Sequence, residues 1–338
     1  MDVAILAHEQ FPDRAKTAVG VLRYADHDVV AVLDRENAGR RVADFLPDVQ
    51  DAPIVESVDD VPEPFDALLV GIAPIGGGFE ESWRPDVRGA LERGCGVVSG
   101  LHYFLEEDAE FRTLAAEHGG DIWDVRKPPD DLTVAEGRAA EVAADVVLTV
   151  GTDCSTGKMT ASVELVAAAD ARGIDAAFVP TGQTGIVIED WGIPIDRTVS
   201  DFTAGAVERM VRERGDDHEL LVVEGQGAIT HPAYSAVTCG ILHGAMPDAL
   251  VLCHEAGREV VHGYESFPIP AVSDVGRLYE DLARPVRETS VAAGCLNTAT
   301  LDGDGAARDV LSEYGDAIDA PATDPVRFDA DEILDPLL

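Results

Sequence analysis

An α/β protein of two consecutive domains, each built on a doubly wound parallel sheet, is what this sequence predicts, and three observations carry the prediction. Its 338 residues exceed one typical domain and suffice for two cores. Short apolar runs alternate with helical patterns in the first third, and the alternation restarts at Val146. Between the two series lies a polar stretch containing Pro128-Pro129-Asp130-Asp131.

In chain order, the first series reads as strands at Val3 to Ala7, Val29 to Leu33, Ala67 to Ile72 and Val97 to Ser99. No Gly-x-Gly-x-x-Gly follows the first strand, which argues against dinucleotide binding even though Asp34 closes the second. The third strand runs into Gly71-Ile72-Ala73-Pro74-Ile75-Gly76-Gly77-Gly78. This turn reads either as a flexible loop or as a backbone nest for a carboxylate or phosphate, with Gly76 and Gly77 as candidate substrate-binding positions. A helix is expected from Ala135 to Ala144, and the domains are expected at residues 1–140 and 141–338. The second series gives strands at Val146 to Val150, Ala176 to Val179, Leu220 to Val223, Ala249 to Cys253 and Val291 to Leu296. The tail from Ala317, with Pro321, Pro325 and Pro336 among aspartates, is expected to wrap the surface.

Composition bounds the function. No stretch approaches the roughly 20 uninterrupted apolar residues of a membrane span, and the N-terminus runs directly into a strand-like segment, so a soluble, cytoplasmic protein is expected. The net charge of -39, from 64 acidic and 25 basic residues, is spread along the chain. Self-repulsion of that size is tolerable where molar salt shortens the screening length to about 3 Å, which points to a halophile-type cytoplasm. The only lysines are Lys16, Lys127 and Lys158. No basic stripe is present to neutralise a phosphate backbone, so nucleic acid is excluded as a partner. The five cysteines form no Cys-x-x-Cys pair and indicate neither a disulfide framework nor a structural zinc site. A homo-oligomer is compatible with all of this.

The sharpest motif is the strand Val146 to Val150 feeding Gly151-Thr152-Asp153-Cys154-Ser155-Thr156-Gly157-Lys158-Met159-Thr160. A small-residue loop opening a helix presents successive amides to an anion, and Lys158 reaches terminal phosphates, as in a P-loop. Two positions depart from the usual Gly-x-x-x-x-Gly-Lys-Ser/Thr pattern: Thr152 replaces the first glycine, and Met159 replaces the hydroxyl that holds Mg²⁺. Phosphate binding is therefore better supported than nucleotide hydrolysis or phosphoryl transfer. Downstream, Leu220 to Val223 ends in Glu224-Gly225-Gln226-Gly227, as a Walker B strand does, and Glu224 could hold a metal or act as a base.

The P-loop and the Val-Glu-Gly-x-Gly strand end resemble dethiobiotin synthetase, over the second domain only. A longer signature covers nearly the whole chain. Gly71-Ile72-Ala73-Pro74, Ser99-Gly100-Leu101-His102, Asp124-Val125-Arg126-Lys127-Pro128-Pro129, the P-loop, Thr181-Gly182-Gln183-Thr184-Gly185, Asp201-Phe202, Glu224-Gly225-Gln226-Gly227 and His231-Pro232-Ala233-Tyr234-Ser235 together resemble the DUF1611 family. That resemblance implies an N-terminal Rossmann-like domain and a C-terminal P-loop NTPase-like domain. It also implies an N-acetyltransferase that moves acetyl from acetyl-CoA to the amine of D-glutamate. A P-loop without its metal hydroxyl could grip the phosphates of CoA. The alternative is an ATP- and Mg²⁺-dependent ligase or kinase, with Lys158 on the phosphates and Glu224 on the metal.

Acetyl transfer needs a deprotonated amine, a stabilised oxyanion and a pocket for the acceptor's carboxylates. His231 is the first candidate for the base and Glu224 the second, with His102 and His254 behind them. A histidine followed by proline also serves as a cap or packing residue. Gln183 and Thr184, in a polar loop after a strand, are candidates for substrate binding, as are Arg126 and Lys127 beside the double proline, since arginine matches a carboxylate bidentately. Lys16 has a weaker claim of the same kind. Cys154 is placed as an acyl carrier would be, or is simply small enough for the loop.

Overall fold

The computed structural model of the chain describes residues 1–72 and 77–338. It divides into two compact units, Met1–Pro128 with Gln183–Arg197, and Pro129–Gly182 with Thr198–Leu338. Among the described residues no helix is long and apolar enough to cross a membrane.

The first unit is a six-stranded parallel sheet of β1 (Asp2–Leu6), β2 (Asp28–Leu33), β3 (Ile54–Val55), β4 (Ala67–Val70), β5 (Gly96–Ser99) and β6 (Ile122–Asp124), in the order β3-β2-β1-β4-β5-β6. The order reverses between β1 and β4, so this is a Rossmann-like winding. The continuous apolar runs reflect burial on both faces: Ala4, Ile5, Leu6 and Leu68 are each fully buried. Helices α1 (Lys16–Tyr24), α2 (Arg84–Glu92) and α3 (Ala109–His118) connect the strands. Asp108 caps α3 by accepting the amides of Glu110 and Phe111, and Gly119 closes it in the left-handed region.

The second unit is also a six-stranded parallel sheet, ordered β14-β13-β10-β7-β9-β8. Its strands are β7 (Asp145–Gly151), β8 (Ala176–Val179), β9 (Leu220–Val223), β10 (Ala249–Glu255), β13 (Ser290–Asn297) and β14 (Ala322–Thr323). A two-stranded antiparallel ribbon, β11 (Val260–Val261) with β12 (Tyr264–Pro268), follows β10. Its helices are α4 (Lys158–Ala171), α6 (Thr203–Arg214), α7 (Ser235–Ala245), α8 (Val272–Ala283) and α9 (Asp304–Ile318).

Every strand expected from the apolar runs is present; β3, β6 and β14 are too short to stand out. Three expectations change. The helix expected from Ala135 to Ala144 is an irregular segment with one short turn at Ala139–Glu141. Gly137 takes φ +74, and the amides of Glu136 and Arg138 are captured by the Glu208 carboxylate of α6 instead of by helical carbonyls. That capture also ties residues after Pro129 to the second unit, so the units part at Pro128 and not at residue 140. The C-terminal tail is core, not wrapping: Ile333 and Leu334 are fully buried and β14 extends the sheet.

Residues 183–197 join the first unit although their neighbours in sequence belong to the second. They form α5 (Gln183–Glu189), whose Ile186 and Val187 enter the first core. The Thr184 and Thr17 hydroxyls bond at 2.9 Å between α5 and α1.

Candidate functional site: a P-loop at the sheet edge

The P-loop leaves the carboxyl end of β7 and enters α4. Ser155 at φ 54 and Gly157 at φ +93 bend the chain through the left-handed region, which Gly157 tolerates because it has no Cβ. Gly157 is the N-cap of α4, so the free amides of the first turn face the loop's concave side. A Cβ on Gly151 would fall 2.8 Å from both Lys158 Nζ and Thr156 Oγ1 and crowd the two side chains, which favours glycine one step before the usual position. The Lys158 ammonium donates to the Asp153 carbonyl at 2.8 Å, and the residue is 7% exposed. The loop thus stores its own cation over the place where phosphate oxygens would lie.

The other loop side chains divide between holding the loop and facing its concavity. Asp153 is fully buried: Oδ1 accepts the Cys154 amide at 2.7 Å, and Oδ2 accepts the His262 amide at 2.8 Å and Arg258 Nη1 at 3.3 Å. Arg258 also donates to the Cys154 carbonyl at 2.7 Å and pairs with Glu255. Asp153 is therefore a girder between the loop and the β11–β12 ribbon. Tyr279 of α8 donates to the Gly151 carbonyl at 2.7 Å and accepts the Ile229 amide at 3.0 Å. Burial pushes its phenol pKa well up, and it stays protonated. Thr156 Oγ1 donates back to the Asp153 carbonyl at 3.3 Å. Met159 is 6% exposed, so its side chain is buried where a metal-holding hydroxyl would be needed. Thr160, half-buried, is the next hydroxyl along α4.

Glu224, directly after β9, is buried, and its Oε2 accepts the amides of Thr181 at 3.0 Å and Gly182 at 2.9 Å. The Thr181 hydroxyl returns a bond to the Glu224 carbonyl at 2.8 Å. Two amides on one oxygen make this carboxylate the anchor of the turn after β8. Next to it, a Cβ on Gly225 would lie 1.8 Å from the Thr149 carbonyl, so only glycine fits between β7 and β9.

His231 is 2% exposed and lies against Tyr234 and Tyr264, with ring centroids at 4.6 and 5.1 Å. Its Nδ1 accepts the Ala233 amide at 3.0 Å. Burial lowers its pKa, with Lys158 acting in the same sense and Asp153 opposing. A neutral ring that accepts at Nδ1 carries its proton at Nε2, and Nε2 points toward Asp153 Oδ1, 4.0 Å away. His231 is thus a donor at its inner nitrogen, which does not suit the general-base role expected from the sequence.

Asp153, Cys154 and His231 place one potential metal ligand each within 4.8 Å of one another. The hydrogen bonds oppose ligation: the proton sits on His231 Nε2, and both Asp153 oxygens already take amide or guanidinium donors. His254, at the end of β10, has Nδ1 2.7 Å from Thr152 Oγ1, and burial, aided by Arg258, lowers its pKa to about 4. It is the neutral imidazole beside the loop. Sequence reading ranked it low because nothing local marks it: only the β10–β7 pairing brings it to Thr152.

The substrate candidates lie in the first unit, near the carboxyl edge of its sheet. Arg126, two residues past β6, is 8% exposed, donates from Nε to the Gly100 carbonyl at 2.6 Å, and pairs through Nη1 with Asp196. Gln183 packs on Gly100, where a Cβ would meet its Cγ at 2.9 Å. Gly77 takes φ +61 with His102 against it, and its carbonyl accepts the amides of His102 at 3.0 Å and Tyr103 at 3.2 Å. Gly77, Arg126 and Gln183 thus gather along this one edge. Thr184 is spent on the contact with Thr17, and Lys127 is exposed and paired with Glu106 at 2.5 Å. The expectation for Gly76 lies outside the described residues. Lys16 opens α1 on the surface.

Comparison with known proteins agrees with this architecture. Residues 133–334 match the P-loop domain of unknown function DUF1611_C, and residues 35–128 match the Rossmann-like domain of unknown function DUF1611_N. A protein of Tritonibacter scottomollicae named D-glutamate N-acetyltransferase is 36% identical over 271 residues, 80% of each chain. A Pseudoalteromonas protein of the same name is 34% identical over 270 residues, 79% of this chain and 80% of that one. The crystal structure of a DUF1611 family protein from Anabaena variabilis superposes with a TM-score of 0.94 at 40% identity, over 99% of this chain and 98% of that one. With both domains matched in order and the whole fold superposed, the chain belongs to the DUF1611 family.

Proposed function

We propose that this protein is an N-acetyltransferase that moves acetyl from acetyl-CoA to the amine of an acidic amino acid, D-glutamate being the favoured acceptor. The observation that carries the reading is the kinship to two proteins named D-glutamate N-acetyltransferase, each aligned over about four fifths of both chains. The P-loop supports it. Its amides and Lys158 suit the pyrophosphate of CoA, while buried Met159 and the amide-bound Glu224 fit an ATP–Mg²⁺ site poorly.

In this reading the acceptor nitrogen attacks the thioester carbonyl, the N–C bond forms, the C–S bond breaks, and CoA leaves as its thiol. The proton shed by the nitrogen passes to bulk water, since the His254 ring, with a pKa of about 4, is too weak a base to hold it. His231, with its proton on Nε2, donates to the oxyanion or to a phosphate. The acid-rich, lysine-poor composition supports a salt-loaded cytoplasm as the setting of the reaction.

The test is product analysis in molar KCl with acetyl-CoA and either enantiomer of glutamate. N-acetyl-D-glutamate and free CoA thiol are expected. ADP release from ATP with an amino or carboxylic acid, and no acetyl product, would replace the transferase with the ligase or kinase.

A further inference from the structure

Around Arg126, two groups that favour anions face one carboxylate, and a second guanidinium lies near them. Arg126 Nη1 and His102 Nε2 both approach Asp196 Oδ2, the latter at 3.8 Å. Arg197, the next residue, lays its guanidinium 4.9 Å over the Phe104 ring and is close enough to lower the pKa of both Arg126 and His102. Among the described residues Arg197 has no carboxylate in salt-bridge contact. With His102 neutral, the cluster holds two guanidinium charges against one carboxylate, a local excess of positive charge in a chain of net charge -39.

The arrangement is built and not incidental. Arg126 is buried, and its Nε is fixed on the Gly100 carbonyl at the end of β5. A buried guanidinium requires a carboxylate to remain charged at low cost. Asp196 provides it from a segment, 183–197, that enters this unit from a distant part of the sequence. The Asp196 side chain keeps 23% of its exposure, so the group it occupies is reachable by solutes.

We propose that Arg126 and Arg197 form a dicarboxylate subsite, and that Asp196 occupies its inner half as an internal stand-in until a substrate carboxylate displaces it. The inner carboxylate of the ligand replaces Asp196 on Arg126, and the outer one pairs with Arg197. Apparent affinity is then reduced by the fraction of molecules in which Asp196 holds the site. The ligand class, an acidic amino acid or its deaminated skeleton, rests on the transferase reading; the competition does not.

The experiment is calorimetry of the full chain in molar KCl with glutarate, which carries both carboxylates and no amine, and with D-glutamate. Asp196→Asn is expected to tighten glutarate binding by about tenfold, since the internal competitor is removed. Arg197→Gln, a surface change that leaves the fold intact, is expected to weaken it by about tenfold and to leave binding of the monocarboxylate butyrate unchanged. Unaltered or weaker glutarate binding in folded Asp196→Asn, or unaltered binding in Arg197→Gln, overturns the subsite. Acetyl transfer whose KM for D-glutamate ignores both substitutions would remove the subsite and keep the transferase; glutarate binding as expected without acetyl transfer would do the reverse.

Discussion

The Tyr279 hydroxyl donates to the Gly151 carbonyl at 2.7 Å while accepting the Ile229 amide at 3.0 Å, so one buried phenol fixes where the P-loop begins and where the segment leading to His231 runs. Tyr279→Phe leaves both backbone groups unpaired in an interior that excludes water. A loss of about 2 kcal/mol in unfolding free energy is expected, with a raised KM for acetyl-CoA and little change in KM for the acceptor. Denaturant melts and steady-state kinetics check it.

Lys158 is held ready by the Asp153 carbonyl, which accepts its ammonium at 2.8 Å. Lys158→Ala should weaken acetyl-CoA binding at least about 100-fold, the scale of a desolvated charge-assisted contact, an effect distinct from any change in melting temperature. Calorimetry beside a thermal melt separates the two effects. Unchanged affinity for acetyl-CoA and for ATP would remove the P-loop from either function.

His254 links pH to stability. Its pKa is about 4 in the folded protein against the ordinary 6.5. Between these values the unfolded chain binds a proton that the folded one does not, so its contribution is intact above 6.5 and is lost as pH falls toward 4. The loss is on the order of 2–3 kcal/mol at the acid end. His254→Gln should flatten that part of the stability–pH curve relative to the parent. A variant with an unchanged acid limb would show that the ring is not held neutral.

Glu224→Ala strands the Thr181 and Gly182 amides, whereas Glu224→Gln keeps an acceptor for them. The alanine variant is expected to lose about 3 kcal/mol and the glutamine variant about 1. If the glutamine variant keeps more than about a tenth of kcat, the residue anchors the turn; loss of all turnover with stability retained would restore the catalytic role expected of it.

Gly225→Ala would drive a Cβ into the Thr149 carbonyl, with 1.8 Å available. A loss above about 4 kcal/mol, or failure to fold, is expected, and pulse proteolysis of the expressed variant would read it.

Local signals settled much of this protein in advance. The strands were legible because a strand buried on both faces must be apolar throughout, and the P-loop because its backbone demands Gly151, Gly157 and a following lysine within one contiguous segment. The lysine-poor, acid-rich composition likewise made Lys158 conspicuous. What the sequence could not reveal is which partner each polar side chain takes, because those partners are distant along the chain. The Asp153 carboxylate meets His262 and Arg258; Glu224 holds the turn after β8; His231 accepts the Ala233 amide at Nδ1, which leaves Nε2 as its donor. Residues 183–197 join the first unit because Ile186, Val187 and Thr184 find their burial against it, which brings Asp196 to Arg126 across 70 positions. Periodicity and loop chemistry are properties of neighbours in sequence, and so the sequence determined the sheets and the phosphate-gripping loop. Hydrogen-bond partners and protonation states are properties of neighbours in space, and only the tertiary structure decided them.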